Sequence, residues 1–148
     1  MKTVLYFILT MILLSFTSEK NGRIIVTISG LDLKKKGNVV IGIFKKENFP
    51  IESKSSYNKI IPVTESKMEV IFPNVDADQY GIAIFQDKDK SGKLSTNLIG
   101  IPNEPFGFSN NKFGTFGPPE FNEIAVKVSS NSSTEVNIKL KYVSFSPL

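Results

Sequence analysis

The sequence predicts an all-β protein: a single antiparallel β-sandwich of about seven short strands, with one long ordered loop rich in Gly, Pro and Phe. Three observations lead there. Apolar and polar residues alternate with a period of two in several short segments, which places one side of each extended segment in a core. Clusters of Gly, Pro, Asn, Asp and Ser separate those segments, and no helical period persists beyond the N-terminal leader. A chain of 148 residues with 41% hydrophobic and 22% charged content is ordinary for one folded domain.

The leader reads MKTVLYFILTMILLSFTS, with Lys2, then an apolar run from Val4 to Phe16, then small polar residues. This is the layout of a secretory signal peptide over residues 1–18, and the run is shorter than the roughly 20 apolar residues a membrane span needs. The expectation is a secreted or periplasmic domain over 19–148. The chain has no Cys, hence neither a disulfide framework nor a lipid-carrying thiol, so its core alone must hold it. A formal net charge of +4 biases it weakly toward anionic partners and carries no nucleic-acid signature.

RIIVTISG places Ile24, Val26 and Ile28 on one face of a strand. After the turn-like LDLKKKGN, NVVIGIFK is apolar on both faces and reads as a central strand, the two together suggesting a hairpin. Residues 45–59 are polar and aperiodic. In KIIPVT, Pro62 restricts the strand to a sheet edge, because proline donates no ladder hydrogen bond. MEVIF is a clearer strand, PNVDADQ has turn chemistry, and YGIAIFQ is a strand that delivers Asp87 to an acidic loop. EIAVKVS aligns Ile124, Val126 and Val128, and TEVNIKLKY aligns Val136, Ile138, Leu140 and Tyr142.

The acidic loop, DKDKSGKLSTN, spaces oxygen-bearing side chains at Asp87, Asp89 and Ser91 before Gly92. Calcium takes about six to eight hard oxygen ligands around a tight turn, and alternate loop residues can supply them. The remaining ligands would come from the Lys93 carbonyl, Ser95, the Asn97 amide and Glu104 folding back. A helix-loop-helix calcium site would instead carry Glu where this loop has Leu98. Lys88, Lys90 and Lys93 oppose a divalent cation. The competing expectation is a tight connection in which Asp87 and Asp89 bond their own backbone and Gly92 takes a positive φ.

Residues 98–122 then contain four Gly, four Pro and five of the chain's 12 Phe. Loops longer than about 12–15 residues are uncommon in compact domains, and disordered segments avoid aromatics. The expectation is an ordered loop in which Phe106, Phe108, Phe113, Phe116 and Phe121 pack as a satellite cluster. Either Phe106 and Phe108, with Ser109, Asn110 and Asn111, present a ligand-binding surface suited to a sugar or a protein, or the rings only anchor the loop.

GLDLKKKGNVVIGIFKKENFP, FPNVDADQYGIAIFQDKDKSGKLSTNLIGIPNEPFGFSNN and FGPPEFNEIAVKV closely resemble a bacterial secreted family known as domain of unknown function 2141. The resemblance implies an extracytoplasmic sandwich of transthyretin-like or immunoglobulin-like type with no established activity. It also marks two departures: Gln86 stands where the family generally has His, and Ser95 where it tends to have Asp. Both remove potential metal ligands.

No His and no Cys are present, which removes the commonest general base and the thiol nucleophile. Carboxylate pairs such as Asp87 with Glu104, or Glu120 with Glu123, leave a carbohydrate-active alternative of glycan binding or hydrolysis. The expected function is a non-enzymatic binding or scaffold module, stabilised by calcium at the Asp87–Asn97 loop, whose partner is an envelope protein or a polysaccharide. Lys34, Lys35, Lys36, Lys45 and Lys46 offer a further contact to an anionic envelope surface, or else only solubilise loops and protect strand edges.

Overall fold

A computed structural model describes residues 21–115 and 117–143. The leader and Phe116 lie outside the described residues. Eight strands form two sheets: β1 (Asn21–Ser29), β2 (Asn38–Phe44), β3 (Tyr57–Pro62), β4 (Lys67–Asp76), β5 (Gln79–Asp87), β6 (Phe106–Phe108), β7 (Val126–Lys127) and β8 (Ser133–Lys139). One sheet has the order β4-β1-β8, the other β3-β2-β5-β6, with β7 also pairing β5. The only α-helix among the described residues is the single turn α1 (Phe121–Ile124).

Alternation explains the core. Ile24, Val26 and Ile28 of β1, Val39, Ile41 and Ile43 of β2, and Ile82 and Ile84 of β5 belong to one buried cluster, to which β8 adds Val136 and Ile138. β2 is flanked on both sides, by β3 and β5, the central position its sequence predicts. β3 pairs only with β2 and ends on Pro62, the edge position that proline dictates.

Four expectations are corrected. β1 and β2 do not form a hairpin: the Gly30–Gly37 connection carries the chain from one sheet to the other, so their apolar faces share the core instead of their edges pairing. The pairing is not wholly antiparallel, since β1 and β8 run parallel from Arg23↔Ser133 to Ser29↔Lys139. Residues beyond Phe72 stay in β4 as far as Asp76, through a bulge opposite Gly22–Ile24 where Asn74 takes φ 56°. Ile124 closes α1 rather than lying in a strand, because Glu120 and Glu123 form a reciprocal capping box that starts a helical turn.

The strand count exceeds seven because the long loop contributes β6, which adds to the edge of β5. The end of β8 fastens it: Phe106 and Lys141 exchange backbone hydrogen bonds of 3.0 and 2.9 Å. Gly107 faces Ile138 and Leu140 so closely that a Cβ would collide, which lets β6 nest against β8. Past β6, the fully buried Ser109 hydroxyl donates to the Ile124 carbonyl and accepts from the Ile82 N–H at 3.0 Å.

Ser109→Ala orphans a buried N–H and a buried C=O together. It is expected to lower unfolding free energy by about 2 kcal/mol in urea titration, and a change within error would show that Ser109 does not tie α1 to β5.

Candidate metal centre

Strand register builds the site. β5 and β6 pair as Ala83↔Phe108, Ile84↔Gly107 and Phe85↔Phe106. Gln86 N–H continues the ladder to the Pro105 carbonyl at 2.9 Å. One further step sets Glu104 opposite Asp87, so an acid at the end of β5 and an acid at the start of β6 are brought together by backbone pairing. Asp89 returns from the loop to join them, and one oxygen from each of Asp87, Asp89 and Glu104 lies within 4.8 Å of the others.

Asp87 and Glu104 are each only 1% exposed, whereas Asp89 faces solvent. Four backbone N–H groups serve the three carboxylates. Asp87 Oδ1 accepts from Ser91 N at 3.0 Å and its Oδ2 from Gly92 N at 2.9 Å. Glu104 Oε1 accepts from Lys88 N at 2.7 Å and its Oε2 from Ser95 N at 3.0 Å. Asp89 shares the Ser91 N–H at 3.0 Å and accepts the Ser95 hydroxyl at 2.9 Å. Each of the six oxygens therefore has one donor and, having two lone pairs, can take one more partner.

Lys35 and Lys88 line an open cleft with Asp89 and Glu104, but neither forms a salt bridge with them. Among the described residues the ion pair is Lys45–Asp78, away from the loop, and no lysine nitrogen reaches these carboxylates within the 4.0 Å of a salt bridge. Lys88 turns aside, donating its Nζ to the Asn103 carbonyl at 2.6 Å and lying 5.2 Å from the Tyr142 ring centre. The Ser91 side chain, then the Ser95 hydroxyl and the Ser91 N–H, hold the Asp89 carboxyl well below its ordinary value, at about 2. Burial raises Glu52, which sits near enough to feel Lys93 lowering and Asp87 raising it.

Of the sequence-predicted ligands, Asp87, Asp89 and Glu104 are brought together. The Ser91 hydroxyl and the Lys93 carbonyl, also expected as ligands, meet each other at 3.0 Å. Asn97 Oδ1 accepts from Ile99 N and Ile101 N at 3.0 and 2.9 Å, so its side chain shapes a turn. The expected tight connection is present as well, with Gly92 at φ 76° and Lys90 at φ 57°. Gln86, read from the sequence only as a lost ligand, is a fully buried clip. Its amide donates to the carbonyls of Asp32 and Lys36 at 2.9 and 2.6 Å and accepts from Asp32 N at 2.8 Å.

The aromatic residues of the long loop form edge-to-face contacts. Phe106, Phe108 and Phe113 contact one another with centroids 5.6–6.2 Å apart, and Phe49 reaches Phe44, Phe108 and Phe121. Phe108 and Ser109 are buried and Phe106 half-buried. Asn110 donates to the Glu123 carbonyl at 3.0 Å, and Asn111 bridges Asn137 O and Lys139 N at 3.0 and 2.8 Å. These amides fasten the loop to α1 and β8, which is the anchoring arrangement.

The architecture and site together define a two-sheet all-β protein with a carboxylate cluster at the end of a central strand. The chain belongs to DUF2141, a family of uncharacterized proteins conserved in bacteria, which matches residues 26–137. No curated protein and no solved structure matches it.

Because Asp89 is depressed in the folded state, its bonds to Ser91 and Ser95 favour folding above the unfolded carboxylate value. That contribution fades as pH falls from about 4 toward about 2. An NMR titration of the Asp89 side chain should show its inflection near pH 2. In Ser95→Ala the inflection should move up toward the ordinary carboxylate range, and an unmoved one would remove Ser95 as a cause.

Proposed function

We propose that this protein is a non-enzymatic, extracytoplasmic binding or scaffold module, a β-sandwich of transthyretin-like or immunoglobulin-like type stabilised by calcium at Asp87, Asp89 and Glu104. One observation carries the ion: three carboxylates converge within 4.8 Å, two of them buried, and no lysine forms a salt bridge with them among the described residues. Like charges so placed repel, and a divalent cation turns that repulsion into attraction while using the spare lone pair on each oxygen. Hard oxygen ligands, with no His or Cys in the chain, suit calcium better than a softer transition metal. The Ser95 hydroxyl, beside Asp89, and water would complete the coordination.

The binding role rests on fold and composition. Asp87 and Glu104 are too enclosed to meet a sugar without displacing the loop, and Glu120 and Glu123 are engaged in a helix cap. Carboxylate-based hydrolysis therefore draws less support than a module that displays loops to an envelope protein or a polysaccharide. The leader-like N-terminus supports export.

Calcium at about ten times a millimolar dissociation constant stabilises by about 1.4 kcal/mol, which for a domain this size is roughly 4 °C in Tm. A melting series with calcium, magnesium or chelator should show that rise for calcium, and Glu104→Gln should abolish it. An unchanged Tm across millimolar calcium rejects the ion.

A further inference from the structure

The same end of the molecule carries a second feature, which the acidic cluster does not explain. Between Ser95 and Asn103 the chain forms a small hairpin, closed at its base by the Thr96↔Pro102 bridge and by Asn103 N donating to Ser95 O at 2.8 Å. Its turn is set by Asn97, whose backbone N–H reaches Ile101 O at 2.8 Å while its side chain holds the N–H groups of Ile99 and Ile101. Gly100 takes φ 81° to complete the reversal. This is a rigid support, yet its apex is Leu98, fully exposed, and Ile99, 79% exposed.

Two branched aliphatic side chains held in water at the tip of an ordered turn are unusual, and their surroundings suggest what they meet. The 31–37 connection is clipped to β5 by Gln86, and Lys35 shares an open cleft of about 270 Å³ with Lys88, Asp89, Ser95, Asn103 and Glu104 at the base of the hairpin. That connection exposes Leu33, and Tyr142 stands exposed beside Lys88. Lysines 34, 35, 36, 90 and 93 are exposed on the same loops. Of the acids at this end, Asp87 and Glu104 are buried while Asp89 and Glu52 face solvent, so the exposed lysines outnumber the exposed acids.

We propose that this end docks on an anionic phospholipid surface, with Leu98 and Ile99 inserted among the acyl chains and the surrounding lysines on the phosphates. An aliphatic tip gains by leaving water, and each lysine near an anionic leaflet adds about 1 kcal/mol. Neither contribution suffices alone, because two side chains bury too little for stable anchoring and a basic collar alone is screened by salt. Their coincidence at one end of the molecule favours a lipid surface over a protein groove, which would need a shaped apolar surface and not a point. The proposal does not require calcium: Leu98 and Ile99 are themselves exposed.

Sedimentation with vesicles of phosphatidylcholine, with and without about a third phosphatidylglycerol, tests it on the full chain, wild type and Leu98→Ser/Ile99→Ser prepared alike. Wild type should bind the anionic vesicles, weaken as salt rises, and bind neutral vesicles poorly. The double variant should bind at least about tenfold less, since it forfeits burial of two aliphatic side chains, while keeping its Tm. Lys34→Gln/Lys35→Gln should lose roughly fivefold per lysine. Repeating the series in chelator separates the readings: loss of binding on chelation, with the Leu98/Ile99 dependence intact in calcium, assigns the ion to orienting the tip and supports docking. Equal binding by wild type and the Leu98/Ile99 variant overturns the proposal, as does no binding at millimolar lipid. A wild-type dimer that the double variant loses, without vesicle binding, would assign the tip to a second copy and also overturn it.

Discussion

The register of β5 against β6 is the constraint on which the rest depends. Three paired residues, Ala83↔Phe108 to Phe85↔Phe106, determine that Asp87 and Glu104 face each other two steps further on. Nothing in the chemistry of two carboxylates would bring them together, since their mutual interaction is repulsive. The cost is met by packing elsewhere: Phe106 and Phe108 stack edge to face with Phe113, Lys141 closes the ladder on the far side of β6, and Ser109 ties its end to β5 and α1. A one-residue slip would turn both Phe108 and Glu104 to the other face of the sheet and lose all of these at once. The aromatic loop and the acidic loop are thus one device, in which the first fixes the second.

That arrangement also explains why Gln86 matters. It lies at the step of the ladder between Phe85 and Asp87, so its side chain points away from the carboxylates. There it meets the backbone of Asp32 and Lys36, and its own fully buried amide finds three partners. A residue facing that way holds the lysine-bearing connection against the acidic loop. Gly37, at φ 83°, permits the close approach to the Asp87 carbonyl that this requires.

Much of this was legible in the sequence where the physics is local. Period-two alternation located β1, β5 and β8, an apolar β-branched run located β2, Pro62 marked an edge, and the spacing of Asp87 and Asp89 with a distant Glu104 anticipated three carboxylates that meet. What alternation cannot encode is partnership. Ile24 and Val39 look equally able to lie side by side or face to face, and only the closed core decides that they face. The parallel β1–β8 pairing joins residues more than a hundred apart and leaves no local trace. Phe106–Phe108 is too short to read as a strand, and Glu120 with Glu123 was read as a carboxylate pair before it could be read as a cap. Asn97, Asn110 and Asn111 carry the same lesson, because an amide that could bind a ligand is equally able to fasten a turn, and here each is fastened.

The hairpin tip follows from the same chain of constraints. Ser95 donates its N–H to Glu104 and its hydroxyl to Asp89, so the base of the hairpin is pinned by the carboxylates themselves. Whatever balances their charge therefore acts on the direction in which Leu98 and Ile99 point. A cation drawing the three carboxylates together would tighten the Ser95 anchor, and repulsion between them would loosen it. In the first case the lysines around the tip would also feel less opposing charge, since the acids that screen them would be neutralised. Rigidity of the tip and basicity of its collar would then rise together, through one set of side chains and without any change in the sheets that hold them.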